Sequence, residues 1–191
     1  MTTLPSIACA AKTQLRRDLL AARSLLTVAE RSARDTLLAA HMRHWLATHP
    51  VGVLGVYWPI RAEPDLRPLY AELAAAGVQL ALPMVTGPGL ALAFVAWAPG
   101  EALVVDRLGI AVPALLRPIA PQALMIPCLG FSRALHRLGY GGGFYDRTLA
   151  PQSQVQPRPL AIGVADAAAL VDFAAGPFDV PMDVIITTAA L

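Results

Sequence analysis

The chain has 191 residues, enough for one well-filled domain spanning 1–191, and is 56% hydrophobic and 15% charged, with a formal net charge of +2. Its apolar runs end after about nine residues, as in Leu90 to Ala98, far short of the roughly 18–20 that a spanning helix needs, so a membrane protein is excluded. The basic excess is slight and its arginines are scattered, which argues against nucleic acid as a partner.

The N-terminal residues lack the basic region of a secretory signal and no lipidation motif closes the chain at Leu191, so a cytoplasmic protein is expected. From Lys12 to Leu26, the apolar residues Leu15, Leu19, Ala22 and Leu26 recur at helical spacing, with Lys12, Arg16 and Arg23 assigned to other sides. Thr27-Val28-Ala29-Glu30 forms a capping box for a second helix reaching about Thr48, and the pair is expected as an N-terminal helical hairpin. Val51 to Trp58 is of strand composition. A polar turn through Glu63-Pro64-Asp65 follows, then a helix over Leu66 to Ala76 stopped by Gly77. Strands are expected at Val78 to Val85 and Leu90 to Trp97, and the first strand–helix–strand unit suggests a parallel pair. Residues Gly100 to Pro121 carry no long element. Leu124 to Pro127 reads as a short buried strand that enters a long loop, Leu129 to Gly143, followed by a helix from Phe144. Further strands are expected at Leu160 to Ala165 and Val184 to Thr188, with a short helical piece at Ala167 to Phe173 between them and an exposed loop at Pro151 to Pro159. These elements define an α/β class with a largely parallel, buried sheet.

The densest chemistry lies in Arg137-Leu-Gly-Tyr-Gly-Gly-Gly-Phe-Tyr-Asp-Arg147. Glycines at 139, 141, 142 and 143 free the backbone to bring N–H groups close to an anion, and a helix beginning at Phe144 would turn its positive end toward the same ligand. The spacing is neither a P-loop nor a dinucleotide fingerprint. Arg137 offers a guanidinium fork to phosphates or pairs with a surface acid; Asp146 holds a divalent cation or caps its helix. Asp179 and Asp183 are candidates for a second carboxylate or are turn residues before the last strand. Lys12, the single lysine, and Arg16 share a helix face that is either solvated or anion-binding. Trp58 and Glu63 follow the first strand, where ligands collect in open α/β sheets, and offer a flat apolar face and an acceptor for ring N–H groups; either is also explained as packing or capping. His41, His44, His49 and His136 form no ligand pattern. Cys9 and Cys128 lack metal spacing and are expected as reduced thiols, with Cys128 buried. Serine-hydrolase, zinc-protease and thiol-redox motifs are absent.

Taken together, Lys12-Thr-Gln-Leu-Arg16, Glu63, Ile126-Pro-Cys-Leu-Gly-Phe131, the block Arg137 to Arg147 and Asp179-Val-Pro-Met-Asp183 resemble the 5-formyltetrahydrofolate cyclo-ligase family, also called methenyltetrahydrofolate synthetase, in register from about Lys12 to Thr187. The resemblance implies a three-layer α/β sandwich like that of sugar-phosphate isomerases and CoA transferases. It also implies ATP-dependent closure of 5-formyltetrahydrofolate, with or without a polyglutamate tail, to 5,10-methenyltetrahydrofolate with Mg²⁺. By that resemblance Lys12, Arg16, Arg137, Leu138, Gly139, Tyr140, Gly141, Gly142, Gly143, Phe144 and Tyr145 contact the nucleotide, and Lys12, Arg137 and Tyr145 act in catalysis. Asp146 and Asp179 hold the metal. Trp58, Glu63 and the segment Tyr140 to Phe144 take the folate. Monomer and homodimer both fit.

The chain departs from the family pattern at Val112, where glutamate is common, at Ser132 and Leu135 ahead of the glycine block, and at Gly142, where a lysine sometimes stands. These departures leave a non-catalytic folate- or nucleotide-binding paralogue as the alternative. A sugar-phosphate or CoA enzyme of the same architecture is disfavoured, because neither a CoA-ester-forming glutamate nor an isomerase base stands near the loop.

Overall fold

The computed structural model describes residues 7–106, 109–150 and 158–189, with side chains of the first helix from Ala10 onward. Six strands form one sheet: β1 (Val53–Gly55), β2 (Gln79–Val85), β3 (Leu92–Trp97), β6 (Ala123–Pro127), β9 (Leu160–Ala165) and β10 (Val184–Thr187), in the order β10-β9-β6-β1-β2-β3. All neighbours are parallel except β3, which returns antiparallel on β2 after the Thr86–Gly89 turn. Two small antiparallel pairs decorate it, β4 (Leu103–Val105) with β5 (Ala111–Pro113) and β7 (Gly130–Phe131) with β8 (Arg137–Leu138).

The helices are α1 (Ile7–Leu25), α2 (Val28–Thr48), α3 (Arg67–Ala75) and α4 (Phe144–Leu149). Thr27 caps α2 as expected: its side chain accepts from the Glu30 N–H while the Glu30 carboxylate accepts from the Thr27 N–H. One face of the sheet packs Leu80, Leu82, Met125, Ile162 and Val164 against Leu38 and Met42 of α2 and Leu69 and Tyr70 of α3. The other face packs Ala81, Leu124, Ile126 and Ala161 against Leu149 of α4 and Met182. Successive residues of β2, β6 and β9 thus enter opposite cores, the alternation that a sheet buried on both faces requires.

Several expectations are corrected. The first strand is only three residues in the ladder, because Val56 to Trp58 continue past the ends of the neighbouring pairings, held by the Val56 N–H donating to the Ala81 carbonyl at 2.8 Å. The helical piece after β9 is a single 3₁₀ turn, Ala167–Ala169, with Asp166 as its cap. On α1 the cations do not lie apart from the apolar stripe: Arg23 is buried, Lys12, Arg16, Leu15 and Leu19 are half-buried, and Ala22 is exposed. α1 therefore turns a mixed charged and apolar face inward, and its side-chain bonds go to the segment Cys128 to Tyr140 and to Asp179, whereas α2 packs on the sheet. Most of the expected loop Pro151 to Pro159, residues 151–157, lies outside the described residues, as does the side chain of Cys9. No helix among the described residues is long and apolar enough to cross a membrane.

From β1 the chain moves to β2 and β3 on one side of the sheet, and it later fills the other side with β6, β9 and β10. The direction of winding changes between β1 and β6. Beyond the carboxyl ends of these two strands the outgoing segments diverge, which leaves a crevice.

Candidate active site

A cavity of about 340 Å³ occupies that crevice, in the size range of small-molecule sites. The residues that the family resemblance assigns to nucleotide, metal and folate all line it: Lys12, Arg16, Trp58, Glu63, Arg137 to Tyr145, Asp146 and Asp179. Asp183 does not. Its carboxylate accepts from Arg158 at 2.6 Å and from the Ala161 N–H at 2.7 Å, which fixes the start of the last strand.

Two ion pairs mark one part of the cavity. Lys12 Nζ lies 2.5 Å from Asp179 Oδ2, which also accepts the Gly176 N–H at 2.8 Å. Burial opposes ionisation of Asp179, but the Lys12 ammonium and the Gly176 amide outweigh it and hold the carboxyl below its ordinary range. Arg137 Nη2 lies 3.0 Å from Asp146 Oδ2, and the guanidinium stands 5.1 Å from the centre of the Tyr145 ring. Arg137 is almost fully buried, and its Nε has no hydrogen-bond partner among the described residues. An orphaned buried guanidinium N–H is costly, and an anion placed beside it would remove that cost.

The glycine block joins this part to the other. Gly141 and Gly143 have φ of +96° and +63°, so these two positions need glycine for conformation. Gly139 and Gly142 need it for space: a Cβ would collide with the Arg137 guanidinium at the first and the Phe144 ring at the second. Arg16 Nε donates to the Gly139 carbonyl at 2.8 Å, and Arg147 Nη2 to the Gly142 carbonyl at 2.8 Å, so cations brace the loop from both sides. α4 has only six residues. Its dipole is correspondingly small, and the loop amides and cations dominate the field at an anion.

At the far part, Glu63 is buried within a turn in which Arg61 and Ala62 take positive φ, +48° and +55°. Such backbone costs about 1 kcal/mol or more per residue, and here the buried Arg34 of α2 offsets it by donating to the carbonyls of Ala62 (3.1 Å) and Glu63 (3.3 Å). The Glu63 carboxylate accepts from the Ile60 N–H at 3.0 Å and from Tyr140 Oη at 2.8 Å. Burial raises its pKa despite those bonds and the nearby Arg23 and Arg61. Trp58 stands edge-on to Trp97 with centroids 5.8 Å apart, so the Trp58 ring is orientated by packing. Burial raises the phenol pKa of both Tyr140 and Tyr145, so each is a neutral donor near pH 7.

Sequence reasoning missed Arg23 and Arg61. Arg61 lies in the turn before Glu63, 5.1 Å from the centre of the Tyr140 ring. Arg23 donates to Tyr140 Oη at 3.1 Å and to the Cys128 carbonyl at 2.6 Å. The signal for Arg23 was present: at 100° per residue, Lys12, Arg16 and Arg23 fall within about 40° of one another on the helix. Val112 and Ser132, the departures from the family pattern, are both buried outside the cavity lining. Val112 pairs with Val104 across β4 and β5, and Ser132 closes a tight turn with Leu135 and His136. Cys128 is a free, buried thiol whose pKa burial pushes up to about 11.

The fold and cavity define an open α/β protein with a candidate ligand cavity past the carboxyl ends of its strands, against a cation-braced glycine loop. The chain belongs to the 5-formyltetrahydrofolate cyclo-ligase family, whose sequence model matches residues 8–188. It is 33% identical to the 5-formyltetrahydrofolate cyclo-ligase of Escherichia coli K12 over 154 residues, 74% of this chain and 83% of that protein. It is 31% identical to the cyclo-ligase of Mycolicibacterium smegmatis over 192 residues, with 92% and 93% covered. Among solved structures, the 5,10-methenyltetrahydrofolate synthetase of Aquifex aeolicus superposes with a TM-score of 0.78 at 26% identity, covering 94% of this chain and 90% of that one. The enzyme from Mycoplasma pneumoniae superposes with a TM-score of 0.72 at 26% identity, covering 92% and 97%.

Proposed function

We propose that this chain catalyses the ATP- and Mg²⁺-dependent closure of 5-formyltetrahydrofolate to 5,10-methenyltetrahydrofolate, releasing ADP and phosphate, in the cytoplasm. One observation supports this function above the others: the residues assigned to nucleotide, metal and folate line one cavity at the topological switch of the sheet.

The chemistry needs such a site because a formyl oxygen is a very poor leaving group. Transfer of the γ-phosphoryl to that oxygen gives an imidate phosphate. N10 then attacks the formyl carbon, and the oxygen departs as phosphate. In-line phosphoryl transfer asks a protein mainly for positioning and for positive charge around the transferring group. Lys12, Arg16 and the orphaned Nε of Arg137 supply that charge on two sides of the glycine loop. Tyr145, neutral and beside Arg137, is a hydrogen-bond donor to the reacting oxygens. Trp58 and Glu63 orientate the pterin, the first by its ring face and the second by accepting its N–H groups, and Tyr140 to Phe144 separate the two substrates.

Asp146 and Asp179 suit Mg²⁺, which takes one or two protein carboxylates and fills its remaining positions with phosphate oxygens and water. Held by these carboxylates, a divalent ion would supply positive charge to the transferring phosphoryl group. The carboxylates pair with Arg137 and Lys12, so if they held a metal instead both cations would be available to phosphate.

The near-ultraviolet absorbance of the methenyl product, followed with MgATP and 5-formyltetrahydrofolate, tests the proposal. Lys12→Ala and Arg137→Ala should each lower kcat/KM for MgATP by about 100-fold or more, with the circular dichroism of the folded protein retained. Full turnover by both variants would show the site assignment to be wrong, and tight folate binding without product would favour the non-catalytic paralogue.

A further inference from the structure

Arg23 lies on the opposite part of α1 from Lys12, buried, and has no part in the chemistry described above. An arginine has donors only, and a phenol oxygen has one proton. Because Arg23 Nη1 donates to Tyr140 Oη at 3.1 Å, the hydroxyl proton is left to a single acceptor, Glu63 Oε1 at 2.8 Å. The chain Arg23 to Tyr140 to Glu63 therefore has a fixed direction, ending on a carboxylate. Its origin is fixed as well, since Arg23 Nη2 donates to the Cys128 carbonyl at 2.6 Å, just past the end of β6.

We infer that Arg23 is a positioning residue for the pterin end of the site: acting through Tyr140, it keeps Glu63 ionised and aimed as an acceptor for ring N–H groups. The inference rests on the function proposed above. Among the described residues no other group in reach does the same. From its own turn Glu63 meets Arg61, which is exposed to solvent, and the Ile60 amide. From the end of β1 and from α3 it is faced by Tyr57 and Tyr70, and from α4 and the end of β6 by Tyr145 and Cys128, all neutral groups at pH 7. Asp35 of α2 bonds to Arg34, and Arg34 reaches the turn's carbonyls rather than the Glu63 carboxylate. Arg23 is the buried cation linked to the carboxylate by way of the Tyr140 hydroxyl, and burial otherwise drives Glu63 toward its neutral acid. A protonated Glu63 would offer a donor where the pterin also offers donors.

Wild type, Arg23→Met, Arg23→Lys, Tyr140→Phe and the Arg23→Met/Tyr140→Phe double variant are compared by equilibrium binding of 5-formyltetrahydrofolate, followed by tryptophan fluorescence, and of MgATP, followed by calorimetry, from pH 5 to 8. Arg23→Met should lose roughly 10- to 100-fold in folate affinity at pH 7, the effect of deleting a charged hydrogen bond, with MgATP affinity kept within about threefold. The pH below which folate binding fails should move upward in Arg23→Met and stay near wild type in Arg23→Lys, which keeps the charge. Tyr140→Phe retains the bond from Arg23 to Cys128. It should reproduce the upward move, and the double variant should bind no more weakly than Arg23→Met, because the two residues act as one chain. Unchanged folate affinity and pH limit in Arg23→Met would overturn the inference, as would additive losses in the double variant or equal losses of folate and MgATP binding. If Arg23→Met does not fold, an unmoved pH limit in Tyr140→Phe overturns it instead. A wild-type protein without affinity for 5-formyltetrahydrofolate overturns the proposed function itself.

Discussion

Glu63 stands where a carboxylate is least comfortable, buried beneath a strained turn, and the sign of its effect on stability follows. Its folded-state pKa lies above its ordinary 4.5 because burial penalises the charge. A carboxyl raised in this way contributes stability below its unfolded-state pKa and loses that contribution as pH rises through the raised value. Wherever it is ionised, Glu63 is therefore held against the preference of the fold. Glu63→Gln should raise Tm at pH 7.5 by scanning calorimetry, the gain should shrink below pH 5, and folate affinity should fall at every pH where Glu63 is charged. A lower Tm at pH 7.5 would refute the assigned cost. At this scale the chemistry of Glu63, Asp146, Asp179, Lys12 and Arg137 was legible, since each has a side chain unusual for its setting. Arg23 was not, because sorting α1 by apolar residues alone treats a buried guanidinium as outward-facing, although long arginine stems pack well against apolar surface.

The glycine loop shows how one residue type serves two ends. Gly141 and Gly77 take nearly the same backbone, φ of +96° and +92°, and alanine at either position should destabilise the protein by about 1–2 kcal/mol through that strain. Their surroundings differ. Nothing lies within 4 Å of a Cβ at Gly77, the stop of α3, whereas at Gly141 it would meet the Arg16 guanidinium at 3.7 Å. Gly141→Ala should weaken MgATP binding by about 10-fold or more while Gly77→Ala leaves it unchanged; equal affinities in the two variants would mean that the loop does not touch the nucleotide. Elements with local signals were readable in sequence, among them the capping box of α2, the stop at Gly77 and the alternating strands. The pairs β4 with β5 and β7 with β8 were not, since two or three residues carry no periodicity and their pairing is set by what they pack against. The end of β1 was misjudged for a related reason: Val56 to Trp58 are strand-like in composition, but β1 leaves the ladder after Gly55 while β2 and β6 run on beyond it.

Across the whole molecule, the parallel sheet was legible from long apolar runs alternating with helices, but the position of the crevice depends on strand order, which composition does not encode. Strand order brings Trp58 and Pro127, 69 residues apart in sequence, onto one cavity wall. It also pairs the site's charges among themselves, Lys12 with Asp179 and Arg137 with Asp146. ATP alone would engage the cations and leave two carboxylates facing phosphate, and Mg²⁺ alone would do the reverse. Saturating MgATP, at about 100 times its Kd, should raise Tm by about 5–10 °C, more than the separate effects of ATP with chelator and of Mg²⁺ combined. A shift that survives EDTA would break the proposed exchange of partners.

α1 carries Lys12 to Asp179 and Arg23 to Tyr140, two parts of one cavity wall and the proposed phosphate and pterin regions. Eleven residues at 1.5 Å each separate the two by about 16 Å, and three full turns return them to within about 20° of one side. Under the proposed function the helix thus acts as a gauge for the distance between the two substrates. Its outward residues are free to vary, but its length between those two positions is not. A single alanine inserted after Arg17 would swing one end by about 100°, so that no register of the helix would serve both substrates at once.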